Sequence, residues 1–322
     1  MEITEEIKER ISALSKKYNA SGQDLLAFLD GLLVADYITY WDYVHLDTLL
    51  SLQTPRTPIP DEEIFIMYHQ ITELYFKLTL HEIKQIATDE ELNAERFTNK
   101  LKRINRYFEA LTHSFGVMEK GMDRSQFLDF RMALIPASGF QSVQYRLIEV
   151  CATDFKFLID KNHRDQYNDD STVEEMYQHI YWKNGATIAD TGEKTLTLKQ
   201  FEKKYTDKIL RWANRFETTN MWNRYLSLEA SDRDNQDLIN QLRLLDLNVN
   251  VYWPLQHYKT AAAYLARRPE DIAATGGTNW QKYLPPRFQK RIFYPDLWTQ
   301  TEKEEWGKSW VESVLKELRE EN

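Results

Sequence analysis

Apolar residues recur at helical spacing along most of the chain. Residues 2–17 form a polar amphipathic pattern on Ile3, Ile7, Ile11 and Leu14, and Leu25, Leu26, Phe28, Leu29, Leu32 and Leu33 define a second helix that Ser21 is placed to cap. The segment 37–53 is aromatic at first and then periodic at Leu46, Leu49, Leu50 and Leu52, before Pro55, Pro58 and Pro60 break it. A long helix follows over 61–87. One of its stripes runs Ile64, Met67, Tyr68, Ile71, Leu74, Tyr75 and Leu78; a second runs Phe65, His69, Thr72 and Phe76. A helix apolar on more than one face belongs in the middle of a bundle, so His69 is placed inside. Further helices are expected over 92–119, with Ile104, Phe108, Leu111 and Phe115 in period, and over 124–134, from Tyr145 to Val150, 197–217, 232–266 and 301–320, with the fifth bent or broken at Pro254. PASGFQS (136–142) interrupts the run, and TGGTN (275–279) is a loop. No internal repeat or β-sheet pattern emerges. The fold class predicted is all-α: a helical bundle with long buried helices, read as one domain over 1–322 with an N-terminal helical extension (1–36) and a polar loop excursion at 160–195.

Composition sharpens this picture. Gly 10 and Pro 9 are few for 322 residues, which favours long helices over a many-turned β-fold. Aromatics make up 13%, enough for large buried surfaces or an aromatic pocket. The formal charge of −9 carries no basic footprint for nucleic acid. Cys151 is the one cysteine, which excludes a disulfide framework and any multi-cysteine metal centre and fits a reducing, cytoplasmic home. The longest uncharged run, Met132 to Tyr145, is interrupted by Pro136 and Gly139, and the charged start MEITEEIKER lacks the apolar core of a signal peptide; no membrane association is expected.

Few residues stand out as chemistry. Seven histidines occur, and an isolated interior histidine is commonly a satisfied core residue. His69 and His257 draw notice because both lie in apolar helical stretches, the latter in VYWPLQHYKTAAAYL. The zinc pattern HExxH, the Glu-x-x-His pairs of di-iron bundles and CxxCH are all missing, so a single neutral imidazole on the iron of a non-covalent haem stays open beside the core reading. Arg131 has Phe127, Phe130 and Leu134 for company; it pairs either with an acid such as Asp129 or with a substrate carboxylate. Thr275 precedes two glycines that could approach an oxyanion, although a plain helix end accounts for them more simply. Ser138 sits in turn chemistry without a G-x-S-x-G elbow. No dinucleotide or Walker motif is present.

Taken together, PDEEIFIMYHQITELYFKLTLHE (60–82), DFRMALIPASGFQSVQYRLIE (129–149), YWDYVHLDTLLSLQ (40–53) and WPLQH…ATGG (253–277) resemble the tryptophan 2,3-dioxygenase family, in that family's order. The FxxxHQxxELxFK and FRxxLxPASGFQSxQxR segments are the specific ones. The resemblance implies an all-helical homotetramer (a dimer of dimers) carrying haem b. It would insert O2 across the indole C2–C3 bond of L-tryptophan to give N-formyl-L-kynurenine, the first step of the kynurenine pathway. By the same resemblance His257 is the proximal ligand of the haem iron and His69 the distal histidine that bonds the indole N–H. Phe65 packs on the indole, Arg131 binds the carboxylate with Phe127 lining the pocket, and Thr275 lies beside the ammonium and carboxylate. Ser138 is close to the haem, and Tyr40 and Tyr43 reach into a neighbouring subunit's pocket. Two departures from the family pattern are Trp41, where a small residue is usual, and a longer His257–Thr275 separation that contains ARRPEDIA (266–273). Competing readings are a related haem enzyme that adds one oxygen to tryptophan or a substituted tryptophan, and a haem-binding sensor without turnover.

Overall fold

The structure is a computed structural model that describes residues 3–35, 38–168, 170–188, 191–265 and 286–308. The described elements of regular structure are all helices, apart from two isolated bridges, Ile159 with Ile180 and Thr187 with Lys194. The chain divides into two units, Met1–Gln53 and Thr54–Asn322.

The first unit holds α1 (Glu5–Ala20), α2 (Leu25–Val34), α3 (Tyr40–Val44) and α4 (Leu46–Leu49). None of these helices contains a buried residue. Asp24, rather than Ser21, caps α2 by accepting the Leu26 N–H. The reason is that Gly22 takes a positive φ of 71°, which ends α1 and delays the next helix until Leu25. Leu33 and Val34 stand 84% and 82% exposed, and Tyr40 and Tyr43 71% and 72%.

The second unit is built on two 28-residue helices, α5 (Asp61–Thr88) and α6 (Ala94–Gly121). They pack on each other; α6 also packs on α13 (Gln236–Leu247) and α14 (Trp253–Leu265), and α5 on α8 (Val143–Ala152). The α6 stripe expected at Ile104, Phe108 and Leu111 is fully buried. Leu111→Ala is therefore expected to cost roughly 2–5 kcal/mol of stability, read as a lowered denaturant midpoint with an unchanged slope.

Three details place the later site. First, the start of α5 is fastened to α7 (Arg124–Phe130): Asp61 Oδ2 accepts the Asp123 N–H at 2.6 Å, and the Asp61 N–H is donated to Gln126 Oε1 at 3.2 Å. Second, the PASGFQS turn is strapped to α10 (Leu196–Phe216). Gln141 Nε2 donates to the Thr197 carbonyl at 3.3 Å, and the Thr197 hydroxyl donates to the Pro136 carbonyl at 3.1 Å. Third, the predicted bend at Pro254 takes the form of a π-turn at Asn248–Tyr252, directly upstream of α14. Pro254 has no N–H to offer the Asn250 carbonyl four residues back and its ring would press on it, so the helix widens just before the proline.

The excursion at 160–195 contains short turns and α9 (Val173–Tyr177), and its Tyr181 and Trp182 are buried. Tyr181 joins a buried charged cluster. Its hydroxyl donates to Glu149, which also pairs with Arg146 at 3.0 Å and with Arg291. The remaining described helices are α11 (Met221–Leu226), α12 (Ala230–Arg233), α15 (Pro286–Gln289) and α16 (Gln300–Glu304). Of the expected 301–320 helix only the start is described. No described helix is long and apolar enough to cross a membrane.

Candidate active site

The long helix α5 presents Phe65 and His69 one turn apart, with ring centroids 4.2 Å from each other. The Phe65 carbonyl lies 2.7 Å from His69 Nδ1. A carbonyl can only accept, so Nδ1 carries the proton and Nε2 is left with its lone pair. Burial holds this imidazole below its ordinary value of 6.5, against the backbone bond to Phe65 and the charge of Glu73, which both favour protonation. At neutral pH His69 is therefore an uncharged acceptor at Nε2.

The tie between α5 and α7 brings a second aromatic pair to Phe65. Phe127 lies 6.1 Å and Phe130 5.7 Å from it, centroid to centroid, and Phe127 meets Phe130 edge-on at 5.6 Å. Tyr264 at the end of α14 closes the group at 4.8 Å from Phe127. It is held there because its carbonyl accepts from Arg124 Nη2 at 2.9 Å while its hydroxyl bonds the Met118 carbonyl. Arg131 follows Phe130 directly, at the start of a short 3-10 turn (Arg131–Leu134), and is 5% exposed. A guanidinium is thus carried inward on the same turn as the aromatic wall.

His257 comes from α14, with its ring 5.9 Å from Phe115 of α6. The PASGFQS turn lies against it, for a Cβ built on Gly139 would meet His257 Cε1 at 3.7 Å. Ser138 caps that turn by accepting the Phe140 N–H at 3.3 Å, and Gln141 Oε1 accepts the Ser138 N–H in return. Burial, with a smaller contribution from His69, pushes the His257 imidazole down to about 4. The two histidines are thus near enough for charge on one to oppose charge on the other, and both are neutral at physiological pH.

The structure brings together Phe65, His69 and Phe127, with buried Arg131 on the turn that follows Phe130, and Ser138 lies in the turn whose Gly139 packs on His257. Tyr40 and Tyr43 belong to the first unit, on α3, and Thr275 lies outside the described residues. Phe130, named from the sequence only as company for Arg131, and Phe115 and Tyr264, given no site role there, join the site. For Phe130 and Tyr264 the signal was available, since they lie three and seven residues after Phe127 and His257 on continuous helical pattern. Phe115 sits on a helix remote in sequence, where nothing distinguished it from its core neighbours.

A family model described as tryptophan 2,3-dioxygenase matches residues 33–242. The chain belongs to the tryptophan 2,3-dioxygenase family. Relatives bearing that name include a protein of Herpetosiphon aurantiacus, 30% identical over 268 residues that span 81% of this chain and 96% of the relative. One from Polaromonas sp. is 28% identical over 81% of this chain and 86% of its own. A third, from Ruegeria sp., is 44% identical over 117 residues, which cover 36% of this chain and 41% of that protein. The family is haem-dependent. The residues here suit such a group: one half-buried imidazole kept neutral, as iron ligation requires, a backbone turn without a Cβ beside it, and an aromatic neighbour in Phe115. Among the described residues no cluster of three or more His, Cys, Asp or Glu side chains is arranged to hold a bare metal ion.

Proposed function

We propose that the chain binds haem b through His257 and inserts both atoms of O2 across the indole C2–C3 bond of L-tryptophan, giving N-formyl-L-kynurenine at the head of the kynurenine pathway. The observation that carries this reading is the pair of neutral imidazoles: His257 beside the Gly139 turn, and His69 with its lone pair fixed at Nε2. When bound, the iron porphyrin supplies the oxygen activation. The protein's own residues bind, orient and exclude water. Arg131 takes the substrate carboxylate as a planar fork. Phe65 packs on the indole, and Phe127, Phe130 and Tyr264 keep the ring dry. His69 accepts the indole N–H at Nε2, and Thr275, assigned by the family resemblance alone, serves the ammonium and carboxylate. Ser138 borders the haem at the turn beside His257. Holding the reactants in register in this way is worth up to roughly 7–11 kcal/mol of barrier. Because both oxygen atoms leave in the product, no reductant site is needed for each turnover.

The working form is a homotetramer, a dimer of dimers, in which Tyr40 and Tyr43 complete a neighbouring subunit's pocket. Support comes from apolar residues left open in each unit. Leu32, Leu33 and Val34 are exposed in the first, and Met67, Ile71, Leu74 and Leu78 form an exposed stripe along α5 in the second. Continuous apolar exposure of this kind marks an association surface. A cytoplasmic location agrees with the single buried thiol, Cys151.

The deciding experiment adds L-tryptophan to the anaerobic ferrous holoenzyme, then O2, and reads the product by mass. Two added oxygen atoms are expected. One added atom indicates a mono-oxygenase, and unchanged tryptophan overturns the catalytic reading. For His69→Ala, haem stays bound while kcat/KM falls about 10- to 100-fold, the value of a hydrogen bond worth roughly 1–3 kcal/mol. Loss of the haem spectrum in that variant would contradict the distal assignment. In the wild type, protonating Nε2 removes the acceptor, so activity falls as pH drops through the His69 pKa. Since burial lowers that pKa, the acid limb of the kcat/KM profile is expected below pH 6.5.

A further inference from the structure

Asp246, at the end of α13, is fully buried and lies outside the aromatic site. Its carboxylate gathers donors from three places. Phe293 N–H reaches both oxygens at 3.0 and 3.1 Å, Tyr294 N–H reaches Oδ2 at 3.2 Å, and Trp298 Nε1 reaches Oδ2 at 3.0 Å. Asn250 Nδ2, inside the π-turn, donates to Oδ1 at 2.7 Å. A second observation coincides with the first. Val251 of the π-turn and Leu255 of α14 form a separate apolar cluster with Trp298 and Trp306. Arg243 of α13 lies over the Trp298 ring at 4.2 Å and pairs with Glu302 of α16. The segment 293–306 thus backs the start of the helix that carries His257.

We propose that Asp246 is a positioning residue for His257: by bonding the 293–298 segment and Asn250 at once, it locks the π-turn and so fixes the rotation of α14. The physical reason lies in helix geometry. A π-turn holds one residue more than an α-turn, and each residue advances a helix by about 100°, so relaxing it swings every later side chain around the axis. His257 lies only five positions beyond the turn, too close for a slip to be absorbed before it. Burial pushes the Asp246 carboxyl up to about 6, and the four donating groups oppose that rise. Such a group persists because its N–H donors would be orphaned without it.

The inference rests on His257 as the haem ligand, and the test separates the two claims. Full-length Asp246→Asn and Trp298→Phe are compared with wild type. An asparagine turns an N–H donor toward donors, while the phenylalanine removes only the indole N–H. Readouts are haem affinity, the iron–histidine stretch of the ferrous protein by resonance Raman, and hydrogen exchange at Phe293 and Tyr294. For Asp246→Asn we expect about tenfold weaker haem binding, a shifted iron–histidine band and faster exchange at both amides. Trp298→Phe should shift the same band in the same direction by less. If Asp246→Asn does not fold, Trp298→Phe carries the test alone. A wild-type band retained unshifted in every variant that folds overturns the proposal, as does a lower melting temperature with haem affinity and band unchanged. Absence of an iron–histidine band from wild type defeats the haem-ligand reading instead.

Discussion

Replacing His257 by alanine is expected to give a folded protein that fails to retain haem and shows no Soret band after purification with added hemin. The loss should exceed the roughly 10- to 100-fold that follows from disturbing a ligand's outer partner, because the ligand itself is gone. The neighbours identified for the His257 ring are Phe115 and the Gly139 turn, and neither offers a ligating side chain. Folding should survive, since the helix carrying His257 is also held by Tyr264 and Gln256, through Met118 and Glu119 of α6. His257→Gly with free imidazole provides the complement: the small ring should enter the vacated space and restore the absorbance. A His257→Ala protein with an unaltered ferrous spectrum would move the ligand elsewhere and remove the basis of the functional reading.

Arg131→Ala is the second large effect. Truncating one partner of a buried charged pair costs roughly 2–5 kcal/mol, which corresponds to a rise in KM for L-tryptophan of at least about 30-fold. Because Arg131 is 5% exposed, solvent cannot stand in for it. Tryptamine, which keeps the indole and amine but lacks the carboxylate, gives the control. Its KM should differ little between wild type and variant, since it never used the guanidinium. If both compounds weaken equally, Arg131 supports the fold rather than the carboxylate, and an unchanged KM for tryptophan removes it from the site altogether.

Much of this architecture was legible beforehand because it rests on long periodic helices. The stripe from Ile64 to Leu78 predicted 61–87, and α5 runs Asp61–Thr88. The α6 core at Ile104, Phe108 and Leu111 followed from the same arithmetic. What periodicity could not show was how irregular segments are fastened. Tyr181 and Trp182 lie in a stretch whose polar residues suggest a loop excursion, yet they are core anchors held in a short turn with no repeat to betray them. The proline at 254 announced a bend, but not the π-turn before it, nor that a carboxylate at 246 would meet amides nearly fifty positions later. The site was legible in part for a related reason. Phe65 with His69, and Phe127 with Arg131, are neighbours one helical turn apart. The closeness of His257 to the Gly139 turn depends on packing between distant segments, and only the family motifs pointed to it.

The bond from His69 Nδ1 to the Phe65 carbonyl has one more implication. The proton is parked by main chain, so no exchange of side chain at position 65 can relocate it. A designer can therefore reshape the ring-binding surface there, for bulkier or halogenated indoles, and still inherit an imidazole whose free nitrogen is ready to receive.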